Sequence, residues 1–114
     1  MMKTYLSAKI HQASVTEANL EYVGSITIDA ALMEKVGIEP FERVMVVSNT
    51  TGTRLETYTI PGEKGSGIIC MNGASSHLIK KGEKIIIMSF ALSDTPFGPK
   101  QILVDTQNRF VRYL

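Results

Sequence analysis

Much of the chain alternates apolar and polar residues with the two-residue period of a half-buried β-strand. This alternation, or a short β-branched run, predicts strands at 4–11 (TYLSAKIH), 43–48 (RVMVVS), 54–60 (RLETYTI), 84–92 (KIIIMSFAL) and 101–105 (QILVD). A further short strand is predicted within residues 21–29 (EYVGSITID). It opens on Gly24-Ser25, although glycine weakens a strand. The protein is therefore predicted to be mainly β, with a functional reason to be sought at this pair.

One helix is predicted over residues 29–37 (DAALMEKVG). Asp29 can cap the free N–H groups of its first turn, residues 32, 33 and 36 form an apolar stripe, and Gly37 can close it in the left-handed conformation. A shorter helical turn is predicted at residues 74–82 (ASSHLIKKG). Glycine, proline and asparagine predict turns at 49–52 (NTTG), 60–67 (IPGEKGSG) and 95–100 (TPFGPK).

The length of the chain limits it to one domain. A chain of 114 residues has enough apolar residues for one core and too few for two. Short strands with one or two short helices favour a small closed β-barrel, because closure removes the unpaired edges of an open sheet. A single β-barrel domain over residues 1–114 is expected.

The charge balance excludes some partners. The 12 Lys and Arg residues nearly cancel the 11 Asp and Glu residues, so neither nucleic acid nor an anionic membrane is an expected partner. The first residues (MMKTYLSAKIHQ) lack the apolar region of a signal peptide, and the longest apolar stretch is interrupted by Ser89 and too short to cross a bilayer. A cytoplasmic location is expected.

Cysteine and histidine give no sign of a metal site or a disulfide. Cys70 is the only cysteine, and its apolar surroundings (GIICMNG) favour a buried structural thiol over a nucleophile. His11 and His77 have no partners at ligand spacing, so no metal is expected.

Gly24-Ser25 is one of two Gly-Ser pairs, and such a pair alone carries little information. The other, Gly65-Ser66, lies in a glycine-rich turn that explains it fully. Gly24-Ser25 instead joins two alternating segments.

Four blocks surround or follow this pair: KIH at 9–11, VTEANLEYVGSITID at 15–29, RLETY at 54–58 and GSGIICMNGA at 65–74. In residues and spacing they resemble the pyruvoyl-dependent L-aspartate α-decarboxylases of bacteria. The resemblance implies a double-psi β-barrel, assembled as a homotetramer with active sites between subunits. It also implies conversion of L-aspartate to β-alanine and CO2, which feeds pantothenate and coenzyme A biosynthesis. Residues 93–114 show little resemblance, and no chemistry is assigned to them.

The resemblance gives Gly24-Ser25 a specific chemistry. The hydroxyl of Ser25 would attack the carbonyl of Gly24 and turn the peptide bond into an ester. Elimination and hydrolysis would then leave a small chain (1–24) and a large chain (25–114) that begins with a covalent pyruvoyl cofactor. The ketone would form a Schiff base with the substrate amine and act as an electron sink.

Other site residues are implied by matching positions. Lys9 and Arg54 would bind the two carboxylates of aspartate, although surface charge is the alternative for each. Tyr58 would be catalytic as the proton donor, where simple packing is the alternative. Thr57 would bind substrate and assist cleavage through the Gly24 carbonyl, yet strand alternation places it on the face opposite Tyr58.

A second group of implied residues follows the last block. Asn72, with the backbone N–H groups of Gly73 and Ala74, would polarise an oxygen of the cofactor or substrate, although Asn-Gly is also a common turn. His11 and Tyr22 are possible supporting residues. Many relatives have alanines where this chain has Ser75 and Ser76, which places two hydroxyls beside the expected pocket.

Two alternatives stay open. A non-enzymatic β-barrel that binds peptides or nucleotides would share the fold, since fold alone does not fix function. A pyruvoyl decarboxylase of another acidic amino acid, such as glutamate, would share the cofactor.

Overall fold

The structure, a computed structural model of residues 1–114, contains nine strands, one α-helix and one 3₁₀ helix. In chain order these are β1 (Lys3–Ser14), β2 (Glu17–Asn19), β3 (Ile26–Asp29), α1 (Ala30–Val36), β4 (Arg43–Ser48), β5 (Arg54–Gly62), β6 (Ile69–Asn72), the 3₁₀ helix (Gly73–His77), β7 (Lys84–Ser93), β8 (Lys100–Val104) and β9 (Phe110–Tyr113). The prediction of a mainly β protein is confirmed. No helix is both long enough and apolar enough to cross a membrane.

The strands hydrogen-bond in the order β2-β6-β3-β5-β4-β7-β1-β8-β9. Three neighbouring pairs are parallel, namely β1 with β8, β2 with β6 and β3 with β5. The other five pairs are antiparallel. Closure of this sheet into a double-psi barrel stays a prediction.

Strand β5 changes its partner halfway along its length. Its first half pairs with β4, ending at the pair Arg43 and Tyr58. Its second half pairs with β3, beginning at Ile26 and Thr59. Residues 57 and 58 therefore lie at a junction between two parts of the sheet, beside the start of β3.

The core consists of 19 buried apolar residues, drawn mainly from the inward face of each strand. On β1 the buried positions change from even to odd numbers, with Ile10 followed by Ala13. The change coincides with a register shift between these residues, and Gln12 there has a φ of 67°. A β-bulge thus adds one residue and keeps the core face of β1 turned inward.

Helix α1 has the predicted caps. The buried Asp29 carboxylate accepts hydrogen bonds from the Ala31 N–H at 2.8 Å, the Gly65 N–H at 2.9 Å and the Gly67 N–H at 2.8 Å. Gly37 ends the helix with a φ of 78°. The carboxylate therefore caps the helix and also holds the 65–67 loop against it.

Three details differ from the sequence-based predictions. Strand β5 continues to Gly62, so the predicted turn at 60–67 begins only after it. The helical turn predicted at 74–82 is a 3₁₀ helix that ends at His77. Strands β2, β6 and β9 were not predicted. All four residues of β6 are buried, so this strand lacks the alternation that marks a half-exposed one.

Candidate active site

The backbone at Gly24 and Ser25 is unusual. Both residues have positive φ, 56° at Gly24 and 81° at Ser25. A positive φ is unremarkable for glycine but costs a serine roughly 1–2 kcal/mol. Ser25 is also only 2 % exposed. The expected nucleophile is therefore a buried hydroxyl on a strained backbone, directly after the carbonyl that it would attack.

Neighbouring main-chain groups hold this strained segment on both sides. The Gly24 N–H donates to the Tyr22 carbonyl at 3.0 Å, and the Asn72 N–H donates to the Ser25 carbonyl at 3.0 Å. The second bond extends the antiparallel pairing of β3 and β6 by one residue. Tyr22 thus supports the segment through its carbonyl, while its side chain is exposed.

Gly73 allows the 3₁₀ helix to start directly against this segment. A Cβ at Gly73 would lie 2.6 Å from the Gly24 nitrogen and 2.9 Å from the Tyr22 oxygen. Gly73 also has a φ of 61°. Both the space and the backbone conformation therefore require glycine at this position.

The Asn72 side chain links three other polar groups. Its amide nitrogen donates to Ser25 Oγ at 3.0 Å and to Thr27 Oγ1 at 2.9 Å. Its amide oxygen accepts from the Cys70 thiol at 3.0 Å. It makes no cap bond to the 3₁₀ helix that follows. The side chain is thus directed at Ser25 rather than at its own turn.

Cys70 is buried, as predicted. Burial raises the pKa of its thiol above the ordinary value, and the nearby Glu17 carboxylate raises this pKa further. The thiol therefore keeps its proton at neutral pH and is a hydrogen-bond donor, not a nucleophile.

A cleft of about 330 Å³ opens onto Ser25. It is lined by Gly24, Ser25, Leu55, Glu56, Thr57, Tyr58, Asn72, Ala74, Ser75 and Leu78. Thr57 and Tyr58 both line it, which strict alternation does not predict. Residues 55–58 all line the cleft, and β5 changes partner directly after them.

Tyr58 lies at the edge of the cleft, close to the Gly24-Ser25 peptide bond. Its hydroxyl donates to the Val23 carbonyl at 3.3 Å and lies 3.7 Å from the place of a Cβ on Gly24. The expected proton donor is therefore within reach of the segment where cleavage is expected. The hydrogen bond predicted between Thr57 and the Gly24 carbonyl stays a prediction.

The hydroxyls of Ser75 and Ser76 are bound by the turn that contains them. Ser75 Oγ donates to the Asn72 carbonyl at 2.9 Å, and Ser76 Oγ donates to the Gly73 carbonyl at 2.6 Å. Only Ser75 lines the cleft. Both hydroxyl protons are therefore already used within the turn, and neither is available to donate to a ligand in the cleft.

Lys9 and Arg54 do not lie in the cleft of a single chain. Lys9 is on β1, between Met88 of β7 and Gln101 of β8, and β1 is four strands away from β3. Arg54 is exposed at the start of β5, and a spacing of four residues puts it about 13 Å along the strand from Tyr58. The lining residues include no cation and one carboxylate, Glu56, which pairs with Arg43.

His11 also lies away from the cleft, on β1 opposite Leu103. Its Nδ1 is buried and has no hydrogen-bond partner. Burial lowers the pKa of this imidazole below the ordinary value, and the charge of Lys9 lowers this pKa further. His11 therefore favours the neutral form.

Sequence reasoning missed five residues of the site. Thr27 and Cys70 bind the Asn72 amide. Leu55, Glu56 and Leu78 line the cleft. A signal for Cys70 was present: residues 70 and 72 are two apart, so they share one face if the segment is a strand. The segment was not predicted to be a strand.

Comparison with known proteins identifies similar chains. Residues 1–111 match the family model described as aspartate decarboxylase. The match therefore extends through residues 93–111, where the sequence alone showed little resemblance to the family.

Proteins named aspartate 1-decarboxylase are similar over nearly their whole lengths. The one from Geobacillus sp. (strain WCH70) is 50% identical over 113 residues, covering 96% of this chain and 89% of that protein. The one from Bacillus subtilis (strain 168) is 49% identical over 118 aligned positions, covering 100% of this chain and 93% of that protein. The one from Neisseria meningitidis (serogroup C, strain FAM18) is 50% identical over 113 residues, covering 96% and 89%.

Proposed function

This chain belongs to the aspartate decarboxylase family, and from that premise we propose that it converts L-aspartate to β-alanine and CO2 with a pyruvoyl group made from its own Ser25. It is a lyase, and its product fits a role in pantothenate biosynthesis. One observation carries the proposed chemistry. The buried Ser25 hydroxyl lies on a left-handed backbone next to the Gly24 carbonyl and accepts a hydrogen bond from Asn72.

Cleavage uses only atoms of this chain and water. Ser25 Oγ attacks the Gly24 carbonyl carbon, the peptide C–N bond breaks, and the hydroxyl proton passes to the Ser25 nitrogen. Loss of the Ser25 Cα proton then expels the carboxylate of Gly24 and leaves a dehydroalanine. Water hydrolyses this group and releases ammonia, so that residues 25–114 begin with a pyruvoyl group. Strain at Ser25 favours the first step, because cleavage relieves it.

The surroundings of Ser25 fit such a group. Once formed, the pyruvoyl group would supply a ketone for the substrate amine and an adjacent carbonyl for the electron pair left by CO2. Asn72 presents an N–H donor at this position, and the N–H groups of Gly73 and Ala74 follow it at the start of the 3₁₀ helix. Tyr58 holds a phenolic proton at the cleft edge, and this proton would go to the substrate carbon after decarboxylation.

The carboxylates of aspartate need cations that the cleft of one chain lacks. The only charged residue that lines it is Glu56. We assign the carboxylates to Lys9 and Arg54 and assign at least one of these cations to a neighbouring copy. A homotetramer with active sites between subunits meets this need.

The surface around the cleft supports this assembly. Val23 is 89 % exposed beside Gly24, Phe41 is 72 % exposed and stacks on Tyr58, and Leu78 is exposed in the cleft lining. A group of exposed apolar side chains next to a site is typical of a protein–protein interface. A cytoplasmic location stays a sequence-based prediction.

The substrate and the cofactor are tested together by amino-acid turnover. The purified full chain and its Ser25→Ala variant are each incubated with L-aspartate and with L-glutamate, and the amine products are measured. The wild type should form β-alanine and should use glutamate at least about a hundredfold more slowly, because the extra methylene misplaces the far carboxylate. Equal use of both substrates would contradict the assignment of aspartate. Activity in the Ser25→Ala variant would contradict the assignment of the cofactor.

A further inference from the structure

We propose that Cys70 is a positioning residue for the self-cleavage at Ser25. Its thiol fixes the direction of the Asn72 amide, and that direction presents an N–H donor to Ser25 Oγ. The proposal rests on the proposed function, because it concerns the step that would produce the pyruvoyl group.

The three residues form a continuous buried chain of hydrogen bonds. The Cys70 sulfur is 3.0 Å from Asn72 Oδ1, and Asn72 Nδ2 is 3.0 Å from Ser25 Oγ. Cys70 is 1 % exposed and the other two residues are each 2 % exposed. Bulk water therefore does not compete for these groups, and each donor has to find its acceptor within the protein.

The Asn72 amide can in principle face either way, because exchange of its oxygen and nitrogen preserves its shape. On one side it meets two hydroxyls, those of Ser25 and Thr27. A hydroxyl donates or accepts equally well, so this side accommodates either orientation. The orientation of the amide is therefore decided by the group on the side away from Ser25 and Thr27.

The group on that other side is the Cys70 thiol. Burial and the Glu17 carboxylate keep it protonated, and sulfur is a weak acceptor. A thiol at this position satisfies the amide oxygen much better than the amide nitrogen. Its only other acceptor, the Met71 carbonyl, is 3.9 Å away. Cys70 therefore selects the orientation in which Nδ2 faces Ser25.

This orientation matters because Ser25 Oγ loses its proton as it attacks. An N–H that donates to Oγ stabilises the negative charge that develops there. In the reversed orientation an amide oxygen would face the same atom, hold its proton and repel the developing charge. An amide oxygen is too weak a base to remove that proton, so the reversed form should cleave slowly.

The test compares cleavage in four full-length chains: wild type, Cys70→Ser, Cys70→Ala and Cys70→Val. Each is made by cell-free synthesis, and the loss of intact chain is followed by mass spectrometry. Serine keeps a donor and should cleave within about twofold of the wild-type rate. Alanine and valine lack a donor and should cleave about three- to tenfold more slowly, as expected for the loss of one net hydrogen bond.

The substitutions also separate hydrogen bonding from packing. Alanine leaves a void and valine overfills the same space, so a slowing shared by both cannot come from one packing error. Thermal midpoints are measured for the same substitutions combined with Ser25→Ala, which keeps every chain uncleaved. If Cys70 has a purely structural role, the cleavage rates of the variants should rank in the same order as their thermal midpoints. The serine variant would then cleave at the wild-type rate only if its thermal midpoint were also restored.

The outcomes are distinct. Slow cleavage with alanine and valine, together with rescue by serine, supports the proposal. Wild-type rates with alanine and valine would overturn it, and so would a serine variant as slow as the alanine variant. If the alanine variant does not fold, the comparison of valine with serine decides. A wild-type chain that never cleaves would instead overturn the proposed function.

Discussion

The main chain of Gly24 lies so close to Gly73 that a Cβ on Gly73 would come within 2.6 Å of the Gly24 nitrogen. The two glycines come from segments far apart in the chain, and their contact joins the Gly24-Ser25 segment to the start of the 3₁₀ helix. The position of the bond proposed to be cleaved therefore depends on the absence of a side chain at residue 73.

Gly73→Ala should slow or abolish cleavage and destabilise the fold. The positive φ costs about 1 kcal/mol, and the backbone clash should add about 1–3 kcal/mol. Gly37→Ala is the matched control, since Gly37 has a φ of 78° but nothing within 4 Å of its Cβ position. It should lose only about 1 kcal/mol and cleave normally. Denaturant unfolding and intact mass measure both effects, and equal cleavage in the two variants would contradict the role of Gly73.

Ser25→Gly should be more stable than Ser25→Ala. Neither variant has a hydroxyl, so both stay uncleaved, but only glycine tolerates the φ of 81° at this position. Their free energies of unfolding should differ by about 1 kcal/mol in favour of glycine. Denaturant titration at equal protein concentration measures this difference. A more stable alanine variant would show that the backbone at Ser25 is not strained.

Tyr58→Phe should still cleave but should turn over aspartate about a hundredfold more slowly, because it has lost the proposed proton donor. The phenyl ring keeps the stacking on Phe41. Tyr113→Phe is the matched control, since each tyrosine donates to a backbone carbonyl at 3.3 Å and only Tyr58 lines the cleft. Steady-state rates of the fully cleaved proteins test this, and an unchanged kcat for Tyr58→Phe would exclude its role.

His11 should make the fold less stable in mild acid. Burial lowers the pKa of this imidazole in the folded chain below 6.5, so the unfolded chain binds a proton at higher pH than the folded chain. The contribution of the neutral His11 imidazole to the free energy of unfolding is present above pH 6.5. It is lost as the pH falls towards the pKa of His11 in the folded chain. His11→Asn, compared in the Ser25→Ala background by denaturant unfolding from pH 8 to pH 5, should lose stability less steeply. Parallel curves for the two proteins would contradict this.

Capping residues and the alternation of apolar and polar residues correctly predicted the elements that they mark. Asp29 and Gly37 marked the two ends of α1, and β4 has the predicted bounds. Strand β6 was missed because it is buried on both faces. The short strand β9 has three exposed residues and no strong pattern.

In the site, too, some features were visible in the local sequence and others depend on contacts made in the fold. The Gly24-Ser25 pair in the sequence indicated where to look, but the left-handed backbone at Ser25 is seen only in the fold, where Asn72 bonds to Ser25 and Gly73 packs against Gly24. Cys70 seemed only a packing residue, since its bond to Asn72 appears only when both lie on one strand face. Lys9 and Arg54 lie outside the cleft of one chain, and their place in the proposed site depends on a neighbouring copy that the sequence of one chain does not describe.

Intact mass spectrometry of the purified, active protein tests the central claim most directly. Self-cleavage at Gly24-Ser25 predicts two chains, residues 1–24 with a free carboxylate and residues 25–114 with a ketone in place of the terminal amine. The Ser25→Ala variant, prepared in the same way, should remain one chain. An active preparation that consists only of the uncut 114-residue chain would contradict the account.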